Sequence, residues 1–136
     1  IASYRACKPN YMTVFIFGNP DLAQDSLPIK LLPRLSAALP EIKFIAVDPN
    51  EEWGATGDIT IIDTVINIDE PRVFNDLGYF TPPPRLTMHD FDAYTNLKFL
   101  KKIGKVSSVK IIGIPPNFPE DRALDFIITT LRPNQL

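Results

Sequence analysis

Three residues of this chain combine a side chain able to hold a metal or move a proton with a position that asks for an explanation: Asp25, Asp63 and His89. Asp63 interrupts the apolar run ITIIDTVI, where a carboxylate carries a desolvation cost unless it is paired or holds a cation. Its plainer reading is a strand-end aspartate bonded to a loop amide. Asp25 follows the first apolar run, and its plainer reading is a helix cap. An N-cap oxygen accepts from the amide two or three residues on, and the third residue after Asp25 is Pro28, which has no N–H. Ser26 is the better cap, with Ile29 as its partner, and this leaves Asp25 for other work. Thr87 and Asp90 form a T-x-x-D pattern that places His89 in the first turn of a helix. The positive end of the helix dipole disfavours imidazolium there, and a neutral imidazole is what a metal ion needs. A surface or core-edge histidine is the alternative. Two carboxylates and one imidazole make a three-ligand site with open positions, suited to zinc or nickel and not to copper(I).

The rarest residues narrow the chemistry further. A single cysteine, Cys7, excludes an internal disulfide, a zinc ribbon and a C-x-x-C redox pair. With His89 as the one histidine, any metal site has to draw its other ligands from carboxylates. No serine or cysteine lies beside a base in a nucleophile motif, and Gly18-Asn19 is not the G-x-G-x-x-G of dinucleotide sites. Fourteen basic residues against sixteen acidic ones leave a net charge of −2 with no basic stripe, so nucleic acid is not an expected partner. No apolar stretch reaches the ~18–20 residues of a membrane span and no leader pattern precedes the first strand, so no membrane partner and a cytoplasmic location are expected.

The elements that have to position these residues follow from the apolar pattern. The length of 136 residues and the 45% apolar content suit one domain with a real core. Residues 1–11 show no period and precede Met12, so they are expected to be a loose N-terminal arm or a remnant foreign to the native chain, with one domain over 12–136. Strands are expected at 12–17, 42–47, 58–68 and 110–114, with a short edge strand near 73–75. Helices are expected at 27–39, where Pro33 weakens the helix or shifts its start, at 88–103 after the stiff loop 81–87, and at 119–132 with Pro119 in the first turn. The segment 48–57 is too short and broken for a full crossover helix. Strands apolar on both faces and separated by helices predict a mostly parallel sheet covered on both sides, and in such a sheet ligands bind beyond the carboxyl ends of the strands. Asp25, Asp63 and His89 meet there if the third strand ends near Asp63.

Four runs in this order resemble the nickel–iron hydrogenase maturation endopeptidases. IFGNPDLAQDSLPI is similar to that family's opening strand and its G-x-G-N loop with an acidic pair four residues on. IIDTVI is similar to its central strand, LTMHDFDAYTNLKFLKKIG to its histidine-bearing helix, and IIGIPPN to its G-I/V-x-P strand end. The resemblance spans most of residues 12–131. It implies an α/β fold, a three-layer α/β/α sandwich around a mostly parallel five-stranded sheet. It also implies an endopeptidase that removes the C-terminal extension of a nickel-loaded hydrogenase large subunit. Carried over by position, Asp25, Asp63 and His89 are the metal ligands, and Gly18 and Asn19 the substrate-binding positions. The nickel comes with the substrate, zinc or another divalent cation standing in for it in vitro. The partner is then the large subunit precursor, and a monomer is expected.

The chain departs from the pattern in places. Ile16 stands for the first glycine, Gln24 for the first acidic residue, and Ser26 and Pro28 for later glycines. Asp48-Pro49-Asn50-Glu51 replaces a glycine-rich turn, and the helix that follows it in the family is missing. These departures keep a second reading open, that of a non-catalytic relative binding a metal centre or peptide in the same crevice.

Overall fold

The computed structural model describes residues 12–19, 21–48, 54–75 and 88–132, and the side chains of Gln24 and of residues 88–93 lie outside that description. The proposed arm 1–11 and the proline-rich loop 81–87 therefore fall outside the described residues. In chain order the elements are β1 (Met12–Phe17), a 3-10 turn (Ala23–Asp25), α1 (Leu27–Ala38), β2 (Ile42–Val47), β3 (Gly57–Thr64), β4 (Arg72–Phe74), α2 (Met88–Lys102), β5 (Val106–Ile114) and α3 (Glu120–Leu131). The five strands form one sheet in the order β2-β1-β3-β5-β4. The β1–β2, β1–β3 and β3–β5 pairs are parallel, and β4 alone runs antiparallel on the β5 edge.

Both faces of the central strands are sealed, which is why they read as unbroken apolar runs. Val14, Ile16, Ile62, Ile112 and Ile114 pack on one face with Leu31, Leu35 and Leu39 of the first helical segment and with Ala123 and Ile127 of α3. Phe17, Ile59, Ile61, Val109 and Ile111 pack on the other face with Tyr94 and Leu97 of α2. The result is the expected three-layer α/β/α sandwich around a mostly parallel five-stranded sheet. Across the outer layer Arg34 of α1 pairs with Glu120 at 3.3 Å and Asp121 at 2.9 Å at the start of α3. Among the described residues no helix is long and apolar enough to cross a membrane.

Several local expectations need correcting. The third strand stops at Thr64 instead of running to 68, because the Val65 amide turns to the Ile114 carbonyl at 3.0 Å and Asn67 takes a left-handed φ of 66°. The last strand begins at Val106 and not at 110, with Val106 and Val109 buried in the core while the polar Ser107 and Ser108 between them are exposed. Pro33 neither ends nor delays α1, since it sits on the exposed side of a helix pinned by buried Leu31 and Leu35. Pro119 is the N-cap of α3 and not part of its first turn, and its carbonyl accepts the Ala123 amide at 2.9 Å. The short 48–57 connection has no helix among its described residues.

Candidate functional site at the carboxyl ends of β1 and β3

The loop that leaves β1 folds back on itself through its own backbone. The Asn19 amide donates to the Asp25 carbonyl at 2.9 Å, the Leu22 amide to the Asn19 carbonyl at 3.1 Å and the Asp25 amide to the Leu22 carbonyl at 2.9 Å. Asn19 adds its side chain, whose Oδ1 accepts the Asp21 amide at 2.9 Å, an Asx turn. Gly18 is required by close approach. A Cβ there would stand 2.8 Å from Ile29 Cγ1 and 2.9 Å from the Asp25 carbonyl oxygen. Gly18 and Asn19, which the resemblance gives as substrate-binding positions, build the turn that carries Asp25.

Asp25 closes the 3-10 turn, is buried, and stands one residue before Ser26, the N-cap residue of α1. The expected Ser26 cap is not made. Ser26 is the N-cap residue, but it holds an αR conformation because the 3-10 turn runs straight into the helix, and its hydroxyl donates back to the Ala23 carbonyl at 3.2 Å. Pro28 at the helix start removes one of the amides that a cap would have served.

Asp63 is the penultimate residue of β3 and is fully buried. It lies one residue beyond the Ile16–Ile62 pair and is level with Gly113 of β5, so it stands beside the end of β1. Its side chain shares the α2 face of the sheet with Ile59 and Ile61. There Asp63 Oδ1 accepts the Thr64 amide at 2.8 Å and Oδ2 accepts the Tyr94 hydroxyl at 3.2 Å. The desolvation that made this carboxylate conspicuous in the sequence is offset by these donors, in part through the strand-end amide bond of the plainer reading. Tyr94 is itself buried and packs on Phe17, with ring centroids 5.6 Å apart. One residue past Asp63, Thr64 Oγ1 is buried without a hydrogen-bond partner among the described residues. Such a group costs ~1–3 kcal/mol unless a polar partner reaches it.

His89 belongs to the first turn of α2 as expected, five residues before Tyr94, or ~7.5 Å along the helix. Its side chain, and the Thr87–Asp90 capping pattern, lie outside the described residues. Among the described residues no group of three or more His, Cys, Asp and Glu side chains is placed to hold a metal ion. The fold therefore carries Asp25 and Asp63 to the ends of adjacent strands. It carries the backbone of His89 to the first turn of α2, five residues before the Tyr94 that reaches Asp63.

The sequence reading missed Tyr94. Its signal was available in the stripe Tyr94–Leu97, because a tyrosine on a core-facing stripe has a hydroxyl that needs a buried partner. Gly113, read as part of a strand-end motif, has a packing role. A Cβ there would come within 2.7 Å of Val65 Cγ2 and 2.8 Å of Phe74 Cε2, so glycine lets β4 and the β3 exit close over β5.

Neither a protein-family model nor a curated protein matches this sequence. Solved structures do. The hydrogenase maturating endopeptidase HybD from E. coli superposes with a TM-score of 0.60 at 15% identity, over 91% of this chain and 93% of that one. The solution structure of an endopeptidase from Escherichia coli gives a TM-score of 0.56 at 13% identity, over 92% of this chain and 95% of that one. At such identities the likeness concerns the fold, and it extends over nearly the whole of each chain. The chain has the α/β fold of the hydrogenase maturation endopeptidase HybD.

Proposed function

We propose that this protein is an endopeptidase of hydrogenase maturation that removes the C-terminal extension of a nickel-loaded large subunit. The observation that carries the reading is Asp63, a fully buried carboxylate at the carboxyl end of β3, oriented by the Thr64 amide and the Tyr94 hydroxyl in a fold shared with such endopeptidases. Parallel sheets bind ligands at this edge. Asp25 is buried at the same edge on a turn built by Gly18 and Asn19.

In the proposed mechanism the nickel arrives as part of the substrate. Asp25 and Asp63 would offer oxygen ligands to it and His89 a nitrogen ligand, holding the substrate with its scissile peptide against the strand ends. Tyr94 and the Thr64 amide fix the Asp63 carboxylate, the kind of outer contact that orients a ligand and tunes its basicity. Held there, the substrate's nickel would supply Lewis-acid polarisation for hydrolysis of the peptide bond.

Gln24 in place of an acidic residue, and a connection after β2 with no helix among its described residues, favour a second reading, a non-catalytic relative that binds a metal centre or peptide in the same crevice. Incubation with a nickel-loaded, unprocessed large subunit separates the two. Shortening of the subunit supports the peptidase, tight complex formation without shortening supports the binding protein, and neither outcome rejects both.

A further inference from the structure

Thr64 ends β3 with a side-chain hydroxyl for which the peptidase reading has no use. The residue is 5% exposed, and its Oγ1 is buried without a hydrogen-bond partner among the described residues. The backbone beside it is occupied, since the Thr64 amide holds Asp63 Oδ1 at 2.8 Å and the residue is paired with Ile114 of β5. Buried hydroxyls nearly always have a partner, and an exception in a native fold marks stored strain, a functional role or a bound water. A methyl group would fill the same space without that cost.

Strand alternation fixes the face on which this hydroxyl lies. Asp63 is on the α2 side with Ile59 and Ile61, so Thr64 shares the opposite side with Ile62 and Ile114, under α1 and α3. Register fixes its level. Ile16 is paired with Ile62, and two residues further along each chain stand Gly18 and Thr64, about one strand spacing of ~4.8 Å apart. Gly18 faces the same side, because a Cβ on it would stand 2.9 Å from the Asp25 carbonyl oxygen and 2.8 Å from Ile29 Cγ1. Thr64 is therefore beside the turn that carries Asp25. Other polar groups on this side do not suit it. The Ser26 hydroxyl donates to the Ala23 carbonyl at 3.2 Å, and Thr60 is four residues back, ~13 Å down the strand. The first amides of α1 are donors and cannot take the Thr64 proton. Asp25 offers an acceptor, a buried carboxylate at the same edge.

We propose that Thr64 is a positioning residue for Asp25, its hydroxyl donating to one carboxylate oxygen when the other engages a metal centre. The inference rests on the reading of Asp25 as a ligand. It gives each carboxylate of the site its own hydroxyl donor, Tyr94 for Asp63 from the α2 side and Thr64 for Asp25 from the α1 side. The Tyr94 bond is already made at 3.2 Å, whereas the Thr64 bond forms on loading. Because Thr64 Oγ1 has no bond to give up, the new one adds in full to the affinity of the loaded site. An oxygen buried this deeply acts through Asp25 and does not touch the substrate.

Thr64→Val and Thr64→Ser test it, since both keep the backbone amide that holds Asp63. Zinc alone is the probe, titrated into the full chain by calorimetry, beside thermal melts of the metal-free proteins. Thr64→Val should raise the metal-free midpoint by roughly 3 °C or more, because a methyl group needs no partner. It should nevertheless weaken zinc binding roughly ten- to a hundredfold, the usual effect of losing an outer donor. Thr64→Ser, which keeps the hydroxyl, should restore the affinity. The carbon-13 shift of the Asp25 carboxyl should differ between wild type and Thr64→Val only when zinc is bound. A lowered midpoint in Thr64→Val overturns the proposal, since the hydroxyl then serves the free fold through a buried water. Zinc affinity or a loaded Asp25 shift that Thr64→Val leaves unchanged overturns it too, as does a wild type that binds no zinc. The peptidase claim is read separately with nickel-loaded precursor. The expected zinc pattern without shortening of the precursor upholds the positioning role and rejects the peptidase. Equal shortening by wild type and Thr64→Val, with zinc affinity unmoved, upholds the peptidase and rejects the positioning role.

Discussion

Replacing Tyr94 by Phe removes one hydroxyl and leaves the ring that packs on Phe17 at 5.6 Å. The lost contact is the 3.2 Å bond to Asp63 Oδ2, donated to a carboxylate with no solvent exposure. A hydrogen bond to a charged group contributes ~1.5–3 kcal/mol. The expected cost is therefore about 2 kcal/mol, or roughly 5–12 °C in thermal midpoint for a domain of this size. Urea denaturation followed by far-ultraviolet circular dichroism measures it, and the m-value should not change because the buried area does not. A cycle sharpens the test. In an Asp63→Asn background the acceptor is neutral, and neutral bonds are about half as strong, so Tyr94→Phe should cost only about 1 kcal/mol there. A loss below about 0.5 kcal/mol in the wild-type background, or equal losses in both, would refute the claim that Tyr94 holds the Asp63 carboxylate.

Gly18→Ala should cost ~1–3 kcal/mol, because the new Cβ meets Ile29 and the Asp25 carbonyl below 3.0 Å and the backbone contact cannot swing aside. Amide chemical shifts of Asn19 and Asp25 should move with it; an unchanged stability and spectrum would show that the turn does not need glycine. Glu41 and Arg132 form a two-pronged ion pair with both bonds at 2.6 Å, and the Arg132 guanidinium, helped by the Glu41 backbone amide, holds the Glu41 carboxyl below its ordinary value of 4.5. A depressed carboxyl stabilises the fold above its unfolded value, and that contribution fades as pH falls through the folded value. The thermal midpoints of wild type and Glu41→Gln should thus differ near neutrality and converge in acid, and a gap that persists in acid contradicts the pairing. Because the pair is exposed, that gap should be small and should shrink in salt.

The three layers were legible because β1, β3 and β5 are buried on both faces, and such strands leave an uninterrupted apolar signature. The ends of strands were less legible. Val65, Ile66 and Ile68 continue the apolar run of β3, yet the chain has already turned at Asn67, whose left-handed backbone is open to asparagine without a sequence mark. At β5 the opposite happened, since Ser107 and Ser108 look like loop although the backbone remains paired with β3. The sequence showed that Asp63 needed a partner, because a carboxylate among isoleucines has to be compensated. It did not show which, because Tyr94 is 31 residues away and meets Asp63 only once α2 lies on the sheet. Ser26 failed as a cap for a local reason, the 3-10 turn entering the helix directly.

The central claim, that Asp25, Asp63 and His89 serve peptide cleavage at a substrate's nickel centre, is tested most directly by the mass of a hydrogenase large subunit precursor after incubation with this protein. Nickel-loaded and nickel-free precursor would be compared, with the wild type and with Asp25→Asn, Asp63→Asn and His89→Ala. The account predicts loss of the C-terminal extension from the nickel-loaded precursor alone, with each variant folded and at least about a hundredfold slower, as expected where a ligand to the reacting centre is lost. Cleavage of nickel-free precursor, or wild-type rates in the three variants, would contradict it.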